Sequence, residues 1–244
     1  MIFDLDGVIT DTASVHAAAW KRLFDEFLEA RARTTSEKIK PYEHADYLRH
    51  IDGKPRYDGV RDFLSSRGIH LDDGDPSDLP DLQTVCGLGN RKNQHFLAHI
   101  AEHGVRAYPS SVELVRALRR AGIGTGIISS SRNATAVLDA AGAREEFDVK
   151  IDGADAAALG LPGKPDPAVF LAAAERLGVA PSRAAVVEDA ISGVEAGHRG
   201  RFALVIGVDR AGQAYQLRAA GADVVVDDLG RLAVSPTQDP AHER

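Results

Sequence analysis

The chain has 244 residues, 44% hydrophobic and 27% charged, and its 36 acidic against 29 basic side chains leave a formal net charge of −7. This is a globular composition with enough chain to bury a core without covalent staples, and a lone cysteine, Cys86, excludes an internal disulfide and a cysteine-built zinc site. No membrane-length apolar run, no basic-apolar leader and no Lys/Arg cluster is present, so the expectation is a cytoplasmic monomer that binds neither membrane nor nucleic acid.

The apolar run from Ile2 to Leu5 ends at Asp6-Gly7 and reads as a buried strand stopping at a turn. Over 12–32, Val15, Ala18, Ala19, Leu23, Phe24 and Phe27 recur at helical spacing. Residues 34–103 break into short apolar clusters, with helices predicted at 45–51, 57–66 and 92–103 and a turn-rich insert at 72–81. After Gly104 the texture becomes strand, turn and helix in repetition. Strands are predicted at 124–128, 147–151, 184–187, 202–206 and 224–226, and helices at 111–121, 134–141, 167–177, 191–198 and 214–219. That alternation makes an α/β fold, a doubly wound parallel sheet that the first strand joins. The helical block is then an insertion after the first strand, dividing the chain into a core of 1–11 plus 104–244 and an inserted domain of 12–103. The tail from about Val234 is expected to fray.

In open α/β sheets the reactive crevice lies beyond the carboxyl ends of the strands. The first strand leaves into Asp4-Leu5-Asp6-Gly7-Val8, the second into Ser129-Ser130-Ser131-Arg132-Asn133, and the 184–187 strand into Glu188-Asp189. Gly163-Lys164-Pro165 follows the third strand. Two carboxylates as near as Asp4 and Asp6 allow a division between nucleophile and general acid/base. An aspartate nucleophile suits phosphoryl transfer, because an acyl phosphate can form and then be discharged. Asp4, Asp6, Glu188 and Asp189 gathered at one sheet edge repel one another unless a cation intervenes, and oxygen ligands without His or Cys favour Mg²⁺. Lys164 and the Ser129 hydroxyl are the groups available for the remaining phosphoryl oxygens.

The stretch from Asp4 to Thr12, the strand-end Ser129, Gly163-Lys164-Pro165-Asp166-Pro167 and the stretch from Val187 to Val194, in this order and spacing, resemble the haloacid dehalogenase superfamily. Within it they are most similar to the β-phosphoglucomutase subgroup, and the superfamily resemblance spans essentially the whole chain. It implies Asp4 as the phosphoryl-accepting nucleophile and Asp6 as the acid/base, with a main-chain carbonyl that also ligates Mg²⁺. It further implies Ser129 and Lys164 as phosphoryl-binding groups, Asp189 with Glu188 as metal carboxylates, and the helical insertion as a mobile cap that closes over a sugar phosphate.

Thr12, His16 and Trp20 share one helix face and resemble the start of a mutase cap, where the first two help set the acid/base. Gly53-Lys54-Pro55-Arg56 is similar to the cap loop whose arginine grips the phosphate not being transferred; Ser131, Arg132 and Asn133 resemble the core residues at that distal phosphate. Arg91-Lys92-Asn93 looks like the second cap hinge, with Lys92 near the site. The implied reaction interconverts β-glucose 1-phosphate and glucose 6-phosphate through the 1,6-bisphosphate. Its rivals are a sugar-phosphate phosphatase using the same residues and a non-catalytic binding module. Two departures bear on the substrate: Asp52 stands where the mutase pattern has a lysine, and the 72–81 insert is additional.

Taken singly, each motif has a plainer reading. Asp-Gly after a strand makes an ordinary turn, Ser129 to Ser131 can cap the next helix, and Lys164 can be a solvated charge. Glu188 can serve as a hydrogen-bonding neighbour and Trp20 as helix packing, while His95, His99 and His103 read as a solvated helix face. The conjunction of the motifs is what points to catalysis.

Overall fold

The computed structural model describes residues 1–35 and 39–235; the expected fraying of the tail falls mainly on 236–244, outside the described residues. The chain runs β1 (Ile2–Asp4), α1 (Ala13–Thr35), α2 (His44–His50), α3 (Arg56–Ser66), α4 (Val85–His103), α5 (Pro109–Arg120), β2 (Gly126–Ile128) and α6 (Ala134–Ala140). It continues through β3 (Val149–Ile151), α7 (Gly153–Ala158), α8 (Ala168–Arg176), β4 (Ala185–Glu188), α9 (Ile191–Arg199), β5 (Leu204–Val208), α10 (Ala214–Ala219) and β6 (Val224–Val226).

The six strands are parallel, in the order β3-β2-β1-β4-β5-β6. Successive strand residues face opposite sides, and the sheet accordingly separates two cores. Ile2, Val186 and Val205 pack with Phe170, Val194 and Leu217 on one face, while Phe3, Val187 and Ile206 pack with Val115, Leu118 and Val137 on the other. Burial on both faces is why these strands are short continuous apolar runs. From β1 the chain steps outward to β2 and β3, then crosses back to β4 on β1's other side. The carboxyl ends of β1 and β4 therefore flank the topological switch point, where ligands bind in such sheets.

The helices α1 to α4 gather their own apolar cluster around Trp20, Phe24, Phe63 and Leu88. Ala19 and Phe96 of the same block pack instead into the Phe3 side of the sheet. The block leaves and rejoins the sheet through two segments lying side by side: Asp11 N donates to the Arg106 carbonyl at 2.9 Å, and Tyr108 N to the Ile9 carbonyl at 2.8 Å.

Two helices differ from expectation. α4 starts at Val85, well ahead of 92, with the Thr84 hydroxyl capping it by accepting from Gly87 N. Gly87 and Gly89 each lower helix propensity by about 1 kcal/mol, which hid this turn from a periodicity reading; packing against α1 and α3 overrides it. α7 was not expected: it is too short to display a period, and it rests on a capping box between Asp152 and Asp155. The histidine stripe is also not wholly solvated, since His95 lies 3.3 Å from Glu26 while His99 and His103 stack on each other at 4.4 Å.

Candidate active site

Asp4 ends β1 and is only 5% exposed. Its Oδ2 accepts from the Asp6 amide at 2.9 Å, and its Oδ1 accepts from Lys164 Nζ at 2.6 Å. The same ammonium donates to Glu188 Oε1, while Glu188 Oε2 accepts from the Ala190 amide at 3.1 Å. Burial opposes the charge on Lys164, but Asp4 and Glu188 outweigh it and hold this lysine above its ordinary value. Gly7 turns the chain after β1 with φ +84°, and a Cβ there would collide with the Asp189 carboxylate. The loop and β4 thus approach each other only because residue 7 has no side chain.

Oxygens of Asp4, Glu188 and Asp189 lie within 4.8 Å of one another. Burial first, then the neighbouring carboxylates, push the Asp4 and Asp189 carboxyls well above the usual range. One lysine does not neutralise this cluster. Hard oxygen donors with excess buried negative charge fit a divalent cation such as Mg²⁺.

Asp6 faces away from that cluster. Its Oδ1 accepts from Thr12 Oγ1 at 2.5 Å and its Oδ2 from Ser129 Oγ at 2.9 Å, with His16 Nε2 at 3.3 Å. Burial works against ionisation, yet His16, Thr12 and Ser129 together hold Asp6 far below the usual carboxylate range. His16 itself is kept below its ordinary value by burial and then by Lys92. Lys92 Nζ lies 2.5 Å from His16 Nδ1. Donation by Lys92 to that nitrogen leaves Nε2 carrying the proton that faces Asp6.

These groups border a cavity of about 320 Å³, lined on the other side by the helical block. Asp4, Asp6, Ser129, Lys164 and Asp189 line one end, and His16, Trp20 and Lys92 line the wall from α1 and α4. Arg56, Ser131 and Arg132 also line it. Burial and then the like charge of Arg132 push the Arg56 guanidinium down, which marks a cationic corner suited to an anion. Three expected residues stand off the cavity surface. Thr12 backs Asp6, Glu188 backs Lys164, and the Asn133 amide donates to Asn93 Oδ1 at 2.8 Å. Asn133 stands at the N-cap of α6 without a side-chain capping bond.

Sequence reasoning missed the contacts that tie the helical block to the sheet domain. Ser130 Oγ donates to the Gly53 carbonyl at 2.8 Å and Ser192 Oγ to the Asp52 carbonyl at 2.9 Å, so the loop after β2 and the first turn of α9 clasp the loop before α3. Asp52 lines the cavity; burial, and Glu188 beyond the Tyr47 hydrogen bond, push its carboxyl up to about 6. The signal for this position was the departure from the mutase pattern at Asp52.

A doubly wound sheet with an acidic, lysine-braced crevice at its switch point and a helical block after β1 is the frame of a haloacid dehalogenase-type enzyme. The family profile for haloacid dehalogenase-like hydrolases matches residues 1–201, and the chain belongs to this family. It is 48% identical to a β-phosphoglucomutase of Mycobacterium bovis, over 95% of this chain and 90% of that protein. An uncharacterized glycosyl hydrolase of Mycobacterium tuberculosis is 44% identical over 96% of this chain, which spans 17% of that larger protein. The crystal structure of β-phosphoglucomutase from Clostridium difficile superposes with a TM-score of 0.72 at 26% identity, covering 95% of this chain and 92% of that one. Among the described residues no helix is long and apolar enough to cross a membrane.

Proposed function

We infer that the chain is a Mg²⁺-dependent mutase interconverting β-D-glucose 1-phosphate and glucose 6-phosphate through β-glucose 1,6-bisphosphate. Residues 1–11 and 104–244 form the catalytic core in this reading, and 12–103 its cap. The observation that carries it is one cavity lined both by the Asp4, Asp6, Ser129 and Lys164 group and by Arg56, Ser131 and Arg132. A bisphosphate that must turn end for end needs a seat for each phosphate.

Asp4, Glu188 and Asp189 would supply carboxylates to Mg²⁺, and Asp6 its main-chain carbonyl. When bound, the ion offsets the charge of the phosphoryl oxygens. With phosphorylated Asp4, the sugar hydroxyl attacks phosphorus as Asp6 takes its proton; the new sugar O–P bond forms and the Asp4 O–P bond breaks. An ionised Asp6 suits this base step. After the bisphosphate turns, an Asp4 oxygen attacks the other phosphorus, and Asp6 returns the proton to the departing sugar oxygen. Ser129 and Lys164 hold the transferring phosphoryl, and the clasped loop keeps out water that would compete as acceptor.

The second reading is a sugar-phosphate phosphatase, which Asp52 favours because a carboxylate on the cavity wall weakens the hold on an anion. The test supplies β-glucose 1-phosphate, Mg²⁺ and trace glucose 1,6-bisphosphate and scores glucose 6-phosphate against free phosphate. Isomer in excess supports the mutase; phosphate release without isomer overturns it.

A further inference from the structure

Arg56 is the first residue of α3, and among the described residues no carboxylate pairs with it. Its Nη1 donates instead to Asn90 Oδ1 at 3.3 Å and to the Gly89 carbonyl at 3.4 Å, both on α4. Neutral acceptors at such lengths orient a guanidinium without neutralising it, which leaves its charge for an anion.

The Asn90 amide has only one orientation open to it. Its Nδ2 donates to the Pro76 carbonyl at 3.1 Å and the Asp78 carbonyl at 2.8 Å. Backbone carbonyls only accept, so the amide nitrogen must face them and the oxygen must face away. That oxygen meets Arg56 Nη1 and also accepts from the Tyr57 hydroxyl at 3.0 Å. Pro76 and Asp78 belong to the 72–81 insert, which is itself fastened to α4. The Val85 and Cys86 amides donate to the Asp72 and Asp73 carbonyls at 3.0 Å, and Arg91 Nε to the Pro80 carbonyl at 2.7 Å. Close approach of α3 and α4 at this point needs Gly89, where a Cβ would lie 2.7 Å from the Tyr57 ring and 3.2 Å from Arg56 Cγ.

We propose that Asn90, clamped by the insert, is the positioning residue that aims Arg56 into the cavity, so the insert sets the grip on the far phosphate of a phosphorylated sugar. The proposal rests on the assignment of Arg56 to the distal phosphate. In this arrangement the insert is a specificity element that acts through one amide.

The test compares Asn90→Ala, Arg56→Ala and the double variant, using glucose 1,6-bisphosphate as the two-phosphate probe and p-nitrophenyl phosphate as the one-phosphate probe. Asn90→Ala is expected to raise KM for the bisphosphate about tenfold with little change in kcat, the loss of one hydrogen bond to a charged group. This rise should exceed any change in KM for p-nitrophenyl phosphate. The double variant should be no worse than Arg56→Ala, because the two residues act as one unit. Losses that add, or that fall equally on both probes, overturn the positioning role while leaving the distal pocket standing. A bisphosphate KM unmoved by Arg56→Ala itself refutes the distal pocket, and the proposal with it. Should Asn90→Ala fail to fold, Asn90→Ser is read by the same comparison.

Discussion

The two ends of the cavity are built in opposite ways. At the β1–β4 end the charged groups bind one another: Lys164 holds both Asp4 and Glu188, Asp6 is held by Thr12 and Ser129, and Asp4, Lys164, Ser129 and Glu188 are each no more than 5% exposed. At the other end Arg56 has only neutral acceptors at 3.3 and 3.4 Å, and Arg132 is exposed. The first end is fixed before any ligand arrives, as electrostatic catalysis requires. The second keeps its charge unspent for whatever anion enters. On the proposed function, chemistry and recognition are separable here by substitution, and the effects should fall in that order.

The largest effect belongs to the fixed end. Asp4→Asn is expected to lower kcat by more than about 10⁴-fold, the scale seen when a nucleophile is removed. Intact-mass measurement should detect no phosphoenzyme; turnover near the parent's would assign the phosphoryl group to another residue. Asp6→Asn is expected to cost about 10²–10⁴ in isomerisation, the range of general acid/base catalysis. Phosphoenzyme formation from acetyl phosphate, whose leaving group needs no proton, should suffer less. Equal losses would make Asp6 a purely structural carboxylate.

The same division governs what could be read from the chain. Asp4, Asp6, Ser129, Glu188 and Asp189 sit at or just beyond strand ends, and a strand buried on both faces announces its end by the first polar residue. Lys164 lies in a loop, yet its Gly-Lys-Pro context marked it. The recognition end has no such punctuation. It depends on where α4 starts, which Gly87 and Gly89 obscured, and on Asn90, whose role exists only once the insert folds back on α4. Asn133 illustrates the limit: a motif placed it near the distal phosphate, but its amide is engaged with Asn93, across a sequence separation that no local pattern records. Strand ends shifted for a related reason, since β2 begins at Gly126 where pairing with Ile2 begins, and pairing is a long-range property.

At the recognition end, Arg56→Ala is expected to reduce mutase kcat/KM by about 10- to 100-fold, as for a lost charge-assisted hydrogen bond. Hydrolysis of p-nitrophenyl phosphate should fall by much less. The contrast between the two substrates is the measurement, and equal losses would move Arg56 out of the distal end and collapse the two-ended reading.

Lys92 joins the two ends, and its effect is read in stability rather than in turnover. It is buried, with its ammonium 2.5 Å from His16 Nδ1 and over the rings of Trp20 at 5.1 Å and Phe96 at 4.9 Å. Burial, and then the charge of Arg56, bring its pKa down from 10.5 to about 7. Between those values the unfolded chain keeps a proton that the folded chain has released, so stability contributed at this position rises with pH. The slope is at most about 1.4 kcal/mol per pH unit. Lys92→Met removes the titration, so the Tm of the parent minus that of the variant should climb from neutral pH toward pH 10. A difference that stays level across this range would mean that the ammonium is not penalised, and that the wall between the two ends is wetter than its packing implies.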